Sequence, residues 1–366
     1  VKDLISVLRA ARDIQEPTLV HVVTKKGKGY LPAEEDPARF HGIGKFDPVT
    51  GKKLAAKVRT FSDSFGDTMV SLAKDNPKLC AITAAMPGGT GLLGFMREYP
   101  QRLFDVGIAE EHAVSMAGGL AKQGMTPVVA LYSTFLQRAY DQLMQDVGIL
   151  HMHVVLAVDR AGLVGDDGPT HHGVFDVGFL RQIPGMRILA PASLEEQAQM
   201  LTWAIQEYDG PVAVRYPRGT EGEYTGSAWD GKATAVSLRR GRDITLITYG
   251  TLINPVLDAA ERLEKQGIQC SVLRLLELAD FSVEEILGMM PEKKNVVVIE
   301  ETAANSGVKL PLAWELQQQC PDCRVSGIDL GKGFVPHGSQ ARLYEYCGLD
   351  ADSIARFVSG VLVDEK

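Results

Sequence analysis

Long apolar runs are the first thing this sequence lacks. None of its 366 residues belongs to an uninterrupted hydrophobic stretch approaching the ~18–20 residues needed to cross a bilayer, so no membrane span is expected. Cysteine is scarce and odd in number, at five, which argues against a disulfide framework and for a reducing compartment. Cys320 and Cys323 form one C-x-x-C, but no second pair and no histidine at zinc spacing accompanies them, so no metal site is expected. Excess positive charge is absent too: 38 Lys+Arg face 46 Asp+Glu, for a formal charge of -8, unlike the basic footprint of a nucleic-acid binder. Repeats and low-complexity tracts are missing. What remains is 45% hydrophobic and 23% charged, an ordinary globular composition with enough chain for two or three domains.

The chain opens Val1-Lys2-Asp3-Leu4, with no methionine and no signal-peptide pattern. Leu4, Ile5, Val7 and Leu8 have the spacing of an amphipathic helix, and 18–24 (T-L-V-H-V-V-T) reads as a strand buried on both faces. We therefore expect a fragment whose N-terminal part precedes Val1 or sits on another chain. Residues 25–46 hold Gly27, Gly29, Pro32, Pro37, Gly42 and Gly44 and read as a loop, followed by a polar, basic linker to 57. A helix should start near Thr60, with Ser62 and Asp63 as capping candidates, and run to about 74.

From there strands alternate with helices. Strands are expected at 79–83, 126–132, 153–159, 187–190 and 211–216, and helices at 109–123, 137–149 and 193–207. That alternation means β-α units and a mostly parallel sheet. A turn-rich stretch at 220–235 reads as a linker. A smaller α/β unit should follow, with strands at 244–248, 270–275, 295–300 and 324–328 and helices near 255–266, 283–290, 308–319 and 350–361.

Polar residues concentrate where these strands end, the ligand-binding edge of an open α/β sheet. In F-D-V-G-I-A-E-E-H-A (104–113), Glu110 and Glu111 open a helix. The bland reading is a charge pair favoured by the helix dipole, and the functional one is a carboxylate that holds or donates a proton at the end of an apolar segment. In Y-S-T-F-L-Q-R-A-Y-D (132–141), Tyr132 and Phe135 either fill the core or stack on a flat heterocycle. Arg138 either reaches an anion or pairs with Asp141 at i+3. The loop D-R-A-G-L-V-G-D-D-G-P-T-H-H-G (159–173) is too dense in special residues for a mere connection, and His171 or His172 suits acid–base work near neutrality. In R-Y-P-R-G (215–219), two arginines suit a phosphate or carboxylate, against a surface salt bridge as the plainer alternative. Together these clusters describe an α/β enzyme with an anionic substrate, acid–base residues and an aromatic platform. They do not name the reaction.

Read in order, the clusters resemble the thiamine diphosphate enzymes of the transketolase group, and within it the 1-deoxy-D-xylulose-5-phosphate synthase family. H-V-V-T-K-K-G-K-G-Y-x-P-A-E-x-D-P (21–37), F-H-G (40–42), A-A-M-P-G-G-T-G-L (84–92) and the four clusters carry the resemblance through nearly all of 20–220 and more loosely beyond. It implies a thiamine diphosphate-binding fold, a parallel sheet with helices on both faces, followed by a smaller α/β transketolase C-terminal domain. The implied divisions are 1–57 (tail of a diphosphate-binding domain plus linker), 58–220 (pyrimidine-binding), 221–236 (linker) and 237–366 (C-terminal).

By motif position, Glu110 would hydrogen-bond the cofactor's aminopyrimidine, Phe135 would stack on it, and His41 would approach the cofactor. Tyr132, Arg138, Arg160, Asp167 and Arg218 would contact substrate, the arginines 160 and 218 gripping a phosphate, with His171 catalytic. The implied reaction decarboxylates pyruvate on thiamine diphosphate and joins the two-carbon unit to D-glyceraldehyde 3-phosphate, feeding non-mevalonate isoprenoid synthesis and, in bacteria, thiamine and pyridoxal synthesis. A homodimer is implied, in bacterial cytoplasm or plant plastid stroma, with no nucleic acid and no membrane as partner.

Two departures stand out. The G-D-G motif and later paired asparagines that hold magnesium and the diphosphate are absent, so those ligands are expected on the missing N-terminal half. E-E-T-A-A-N-S-G (300–307) lacks glycines usual in the family and D-L-G-K-G-F-V-P-H-G (329–338) carries an unusual G-K-G, changes expected to touch packing or interface rather than the reaction. Two rival readings are a 2-oxoacid dehydrogenase β subunit, which would explain the missing half but not residues 20–46, and a non-catalytic relative kept for binding or assembly, which predicts loss of the glutamate, histidine or arginines.

Overall fold

The structure is a computed structural model that describes all residues except 38, 42, 55–57, 227–228, 293 and 364–366. Gly42 of the F-H-G segment, the expected boundary at Lys57 and two residues of the expected linker therefore lie outside the described residues. The chain divides into two compact units, Val1–Val58 and Arg59–Lys366.

In the first unit the helix Lys2–Asp13 forms as its spacing predicts, yet none of its residues is buried. The strand expected at 18–24 does not form, and Leu19 and Val23 stand open to solvent. Its β-branched run has the propensity but, among the described residues, no neighbouring strand to complete a ladder, and unpaired backbone groups favour water. Around the short helix Leu31–Glu35, the rings of Tyr30, Phe40 and Phe46 pack with centroids 5.5–6.0 Å apart. Glu34 accepts the Gly29 N–H and pairs with Lys25 at 2.6 Å, contacts that lower its pKa. His41 Nδ1 lies 2.9 Å from Lys26 Nζ.

The second unit holds two sheets. The first comprises β1 (Leu79–Thr83), β2 (Leu103–Asp105), β3 (Thr126–Tyr132), β4 (Val155–Asp159), β5 (Arg187–Leu189) and β6 (Val212–Arg215), all parallel in the order β2-β1-β3-β4-β6-β5. β1, β4 and β6 are buried along their whole length and β3 along all but its first residue, which is why they read as near-continuous apolar runs. The helix Phe61–Asp75 lays Phe61, Phe65, Met69 and Ala73 on the sheet, one residue per turn.

That helix starts where expected, with Thr60 as its N-cap; of the two capping candidates Asp63 takes part and Ser62 does not. The Thr60 hydroxyl accepts the Asp63 N–H and the Asp63 carboxylate accepts the Thr60 N–H, a reciprocal cap that satisfies two orphan donors. Thr60→Ala should cost about 1 kcal/mol of unfolding free energy, read as a lower urea midpoint at unchanged slope.

The helix expected at 137–149 forms but is irregular, tightening at Gln137–Ala139 and widening at Leu143–Gly148. There Gly118 of the helix Glu110–Lys122 leaves no room for a Cβ against the Asp146 carbonyl, and the Asp146 carboxylate accepts the Ser115 hydroxyl at 2.5 Å.

The second sheet comprises β7 (Ala235–Arg239), β8 (Ile244–Tyr249), β9 (Cys270–Leu275), β10 (Asn295–Ile299) and β11 (Arg324–Ile328), ordered β11-β10-β8-β9-β7. Only β7 is antiparallel, and sequence reading missed it because it starts where the turn-rich stretch ends. Also unforeseen are β2 and the short helices Leu93–Glu98, Asp176–Arg181 and Gln340–Cys347, too brief to show a period. One continuous apolar cluster joins residues of both sheets, including Leu156 and Ile188 of the first and Ile247 and Leu273 of the second.

Candidate active site

The chain leaves β1 toward β2 on one side and leaves β3 toward β4 on the other, which makes the carboxyl ends of these adjacent strands the ligand-binding edge expected of an open parallel sheet. Glu110 arrives there as the first residue of a helix, Tyr132 as the last of β3, and Arg160 just past β4. Arg218 follows β6 by three residues.

Glu110 is almost fully buried. Its Oε1 accepts from Arg138 Nη1 at 2.7 Å, while Oε2 is buried and has no hydrogen-bond partner among the described residues. Arg138 thus pairs with Glu110 rather than with Asp141. Its guanidinium lies 5.0 Å from the centre of the half-buried Phe135 ring, which stacks on Tyr132 at 5.7 Å and meets His171 edge-on at 5.3 Å. Arg160, held at a positive φ of 60°, lays its guanidinium 3.9 Å over Tyr132. Asp167 Oδ2 then accepts from Arg160 at 3.2 Å and from Arg218 at 2.8 Å. Gly89 lies so close to the Tyr132 hydroxyl that a Cβ there would overlap it.

Contacts therefore link Glu110, Arg138, Phe135, Tyr132, His171, Arg160, Asp167 and Arg218 without a break. Chemically this is a buried carboxylate with one bare oxygen, an aromatic wall, and two cations sharing one anion.

Comparison with known proteins shows the family. The family description "Transketolase, pyrimidine binding domain" matches residues 57–221, and "Transketolase, C-terminal domain" matches 233–354. The chain belongs to the transketolase family. It is 44% identical to 1-deoxy-D-xylulose-5-phosphate synthase 1 of Geobacter sulfurreducens and 44% identical to the 1-deoxy-D-xylulose-5-phosphate synthase of Heliobacterium modesticaldum, over 96% and 97% of its own length. It spans 56% of the length of each of these relatives. Among solved structures, a split-gene transketolase described as an inactive β4 tetramer aligns with a TM-score of 0.73 at 24% identity, covering 84% of this chain and 99% of that one. Transketolase from Campylobacter jejuni aligns at 0.68 and 19% identity, over 82% and 46%. These two alignments show the shared fold.

Within this transketolase frame, two sequence-level options close. His172 accepts the Val164 N–H at Nδ1 and donates from Nε2 to the Pro336 carbonyl, each at 3.1 Å. Both ring nitrogens are spent, and burial lowers its pKa, so it is a neutral structural imidazole. His171, by contrast, uses only Nδ1 among the described residues, toward the Thr170 hydroxyl at 2.9 Å. Arg215, grouped with Arg218 as an anion ligand, is instead buried and forked onto Asp176 at 2.9 and 3.3 Å. His41 belongs to the unit Val1–Val58 and is described with it.

The same strand edge holds a further buried carboxyl, within the cluster 159–173 but not singled out there as a site residue. Asp159 ends β4 fully buried, accepting the Ser62 hydroxyl at 2.7 Å on one oxygen, and burial pushes its pKa up to about 7. Its sequence signals are its place at the head of the dense loop 159–173 and as a charged residue closing an otherwise apolar strand.

Proposed function

We propose that this chain forms the pyrimidine side of the active site of a 1-deoxy-D-xylulose-5-phosphate synthase. The reaction would decarboxylate pyruvate and condense the two-carbon unit with D-glyceraldehyde 3-phosphate, the first step of non-mevalonate isoprenoid synthesis. The observation that carries the reading is Glu110: a buried carboxylate with one oxygen anchored by Arg138 and the other bare. A buried acceptor without a partner costs on the order of 1–3 kcal/mol, a cost that the protonated ring nitrogen or amino group of an aminopyrimidine would remove. Thiamine diphosphate fits that requirement and, when bound, supplies the nucleophilic carbon and the electron sink.

This chain's own residues do the rest. Glu110 holds a proton at the heterocycle's ring nitrogen, in a setting from which water is largely excluded. Phe135 offers a half-exposed ring face to the same heterocycle. Arg160 and Arg218 converge on Asp167, and a phosphate dianion entering there would compete with that carboxylate for their forks. Arg160→Ala and Arg218→Ala should each raise the KM for the aldehyde phosphate by about 10–100-fold, the equivalent of one charge-assisted hydrogen bond, with kcat changed far less. His171, edge-on to Phe135, serves as the acid–base group.

Magnesium and the diphosphate would be held by a diphosphate-binding segment other than the pyrimidine side, within a homodimer of bacterial cytoplasm or plastid stroma. No helix among the described residues is long and apolar enough to cross a membrane.

The deciding experiment measures pyruvate-dependent carbon dioxide release by the intact enzyme with thiamine diphosphate and magnesium, with and without D-glyceraldehyde 3-phosphate. Release that depends strongly on the aldehyde, with a phosphorylated ketose as product, supports the synthase. Release driven by a lipoyl acceptor would replace this reading with a 2-oxoacid dehydrogenase subunit, and no turnover in cofactor-loaded protein would favour a binding relative.

A further inference from the structure

The loop that carries Arg160 and Asp167 does not stand by itself. Its turn 162–165 is gripped from behind by the second sheet's domain. Glu301, two residues past β10, accepts the Leu163 N–H at 2.8 Å on Oε1. Gln340 Nε2 lies 3.5 Å from the Leu163 carbonyl, and the Gly338 N–H points to the Gly165 carbonyl at 3.4 Å. His172, itself tied to Pro336, takes the Val164 N–H, and the Val164 carbonyl accepts from Arg218 Nη1 at 3.1 Å. The same turn is thus shared by Arg218 on its front and by Glu301 on its back.

Glu301 is the costly member of this grip. A neutral acceptor would make the same hydrogen bond with less desolvation, yet a carboxylate is buried here against Tyr344, with Arg215 and Asp176 as nearby charges. Gly162, at φ +80°, completes the fit, since a Cβ there would overlap the Glu301 carboxylate. The backbone must therefore approach Glu301 directly, and any change in that carboxylate is passed to Leu163.

We propose that Glu301 is a positioning residue for the phosphorylated substrate: by holding the Leu163 N–H it fixes the turn between Arg160 and Asp167, so that Arg160 and Arg218 present one preformed phosphate grip. The C-terminal domain thereby sets affinity for the aldehyde phosphate without touching it. This rests on the reading that Arg160 and Arg218 hold the phosphate. It also gives the segments 300–307 and 329–338 a place next to the substrate loop, rather than in remote packing.

The test uses the intact enzyme in wild-type, Glu301→Ala and Glu301→Gln forms. Glu301→Ala should raise the KM for D-glyceraldehyde 3-phosphate about 10–100-fold, the scale of an ångström-level misplacement, while the KM for pyruvate and kcat at saturation stay within about twofold. Hydrogen exchange at the Leu163 amide should accelerate in parallel. Glu301→Gln, which keeps an acceptor oxygen of the same reach, should restore both. Should the alanine variant fold poorly, Glu301→Asp, which withdraws the carboxylate by one methylene, supplies the same comparison. Unchanged KM and exchange, or a fall in kcat with KM unmoved, would overturn the proposal. If wild-type enzyme does not use the aldehyde phosphate at all, the synthase reading fails, whereas the exchange arm still reports whether Glu301 governs the turn.

Discussion

Replacing Glu110 with glutamine should lower pyruvate-dependent carbon dioxide release by about 10²–10⁴-fold, the range that a positioned general acid or base contributes. The substitution keeps shape and an acceptor oxygen but removes the ability to hold and release a proton. A thousandfold loss corresponds to about 4 kcal/mol of barrier. Instability should contribute little of this, because Arg138, the partner left behind, is half exposed and stays solvated, and glutamine keeps an acceptor for it. The variant should therefore melt within a few degrees of wild type while losing nearly all turnover. Binding of thiamine diphosphate, followed by quenching of intrinsic fluorescence, should weaken far less than activity falls. Turnover within tenfold of wild type would mean that the bare Glu110 oxygen is a structural accident and not the proton-holding group.

Legibility of the fold tracked how much each element depended on its own residues. β1, β3, β4, β6, β8, β9 and β10 are buried enough that hydrophobicity alone marks them, and β3 is delimited residue for residue. Where a neighbour decides, sequence misled: 18–24 has strand chemistry but no ladder among the described residues, and β7 has a partner in β9 but begins in a stretch that reads as turns. For the site, motif position named residues that do converge, because strand-end loops of a parallel sheet must gather at one edge. Arg215 and Arg218 show the limit. They sit three residues apart in R-Y-P-R-G, yet Arg215, the last residue of β6, is buried on Asp176 while Arg218, in the loop beyond the strand, reaches Asp167, a difference visible only in three dimensions. Glu301 was illegible for a related reason, since the amide it holds lies 138 residues away in sequence.

Arg274→Met should destabilise the unit Arg59–Lys366 by about 3–5 kcal/mol, the usual cost of removing one member of a buried ion pair. Arg274, on β9 of the second sheet, is fully buried and forks onto Glu196 of the helix Leu194–Gln206, which packs on the first sheet, with both contacts at 2.6 Å. Glu196 Oε2 also accepts the Ala192 N–H, so the carboxylate is held from both domains at once. Methionine would fill much of the volume but leave that carboxylate without its cation in a site closed to water. Guanidinium unfolding should show a lower midpoint whose shift, multiplied by an unchanged slope, gives that amount. Changing both members together, Arg274→Met with Glu196→Met, should recover part of the loss, because no uncompensated charge then remains. A single-variant loss below about 1 kcal/mol would mean that water reaches Glu196 once the arginine is gone. The size of the effect also bears on function, because this bolt and Arg187–Glu277 join the sheet bearing Arg160 and Asp167 to the domain bearing Glu301. A loosened joint should therefore weaken the grip on the Leu163 turn even where every residue of the site is intact.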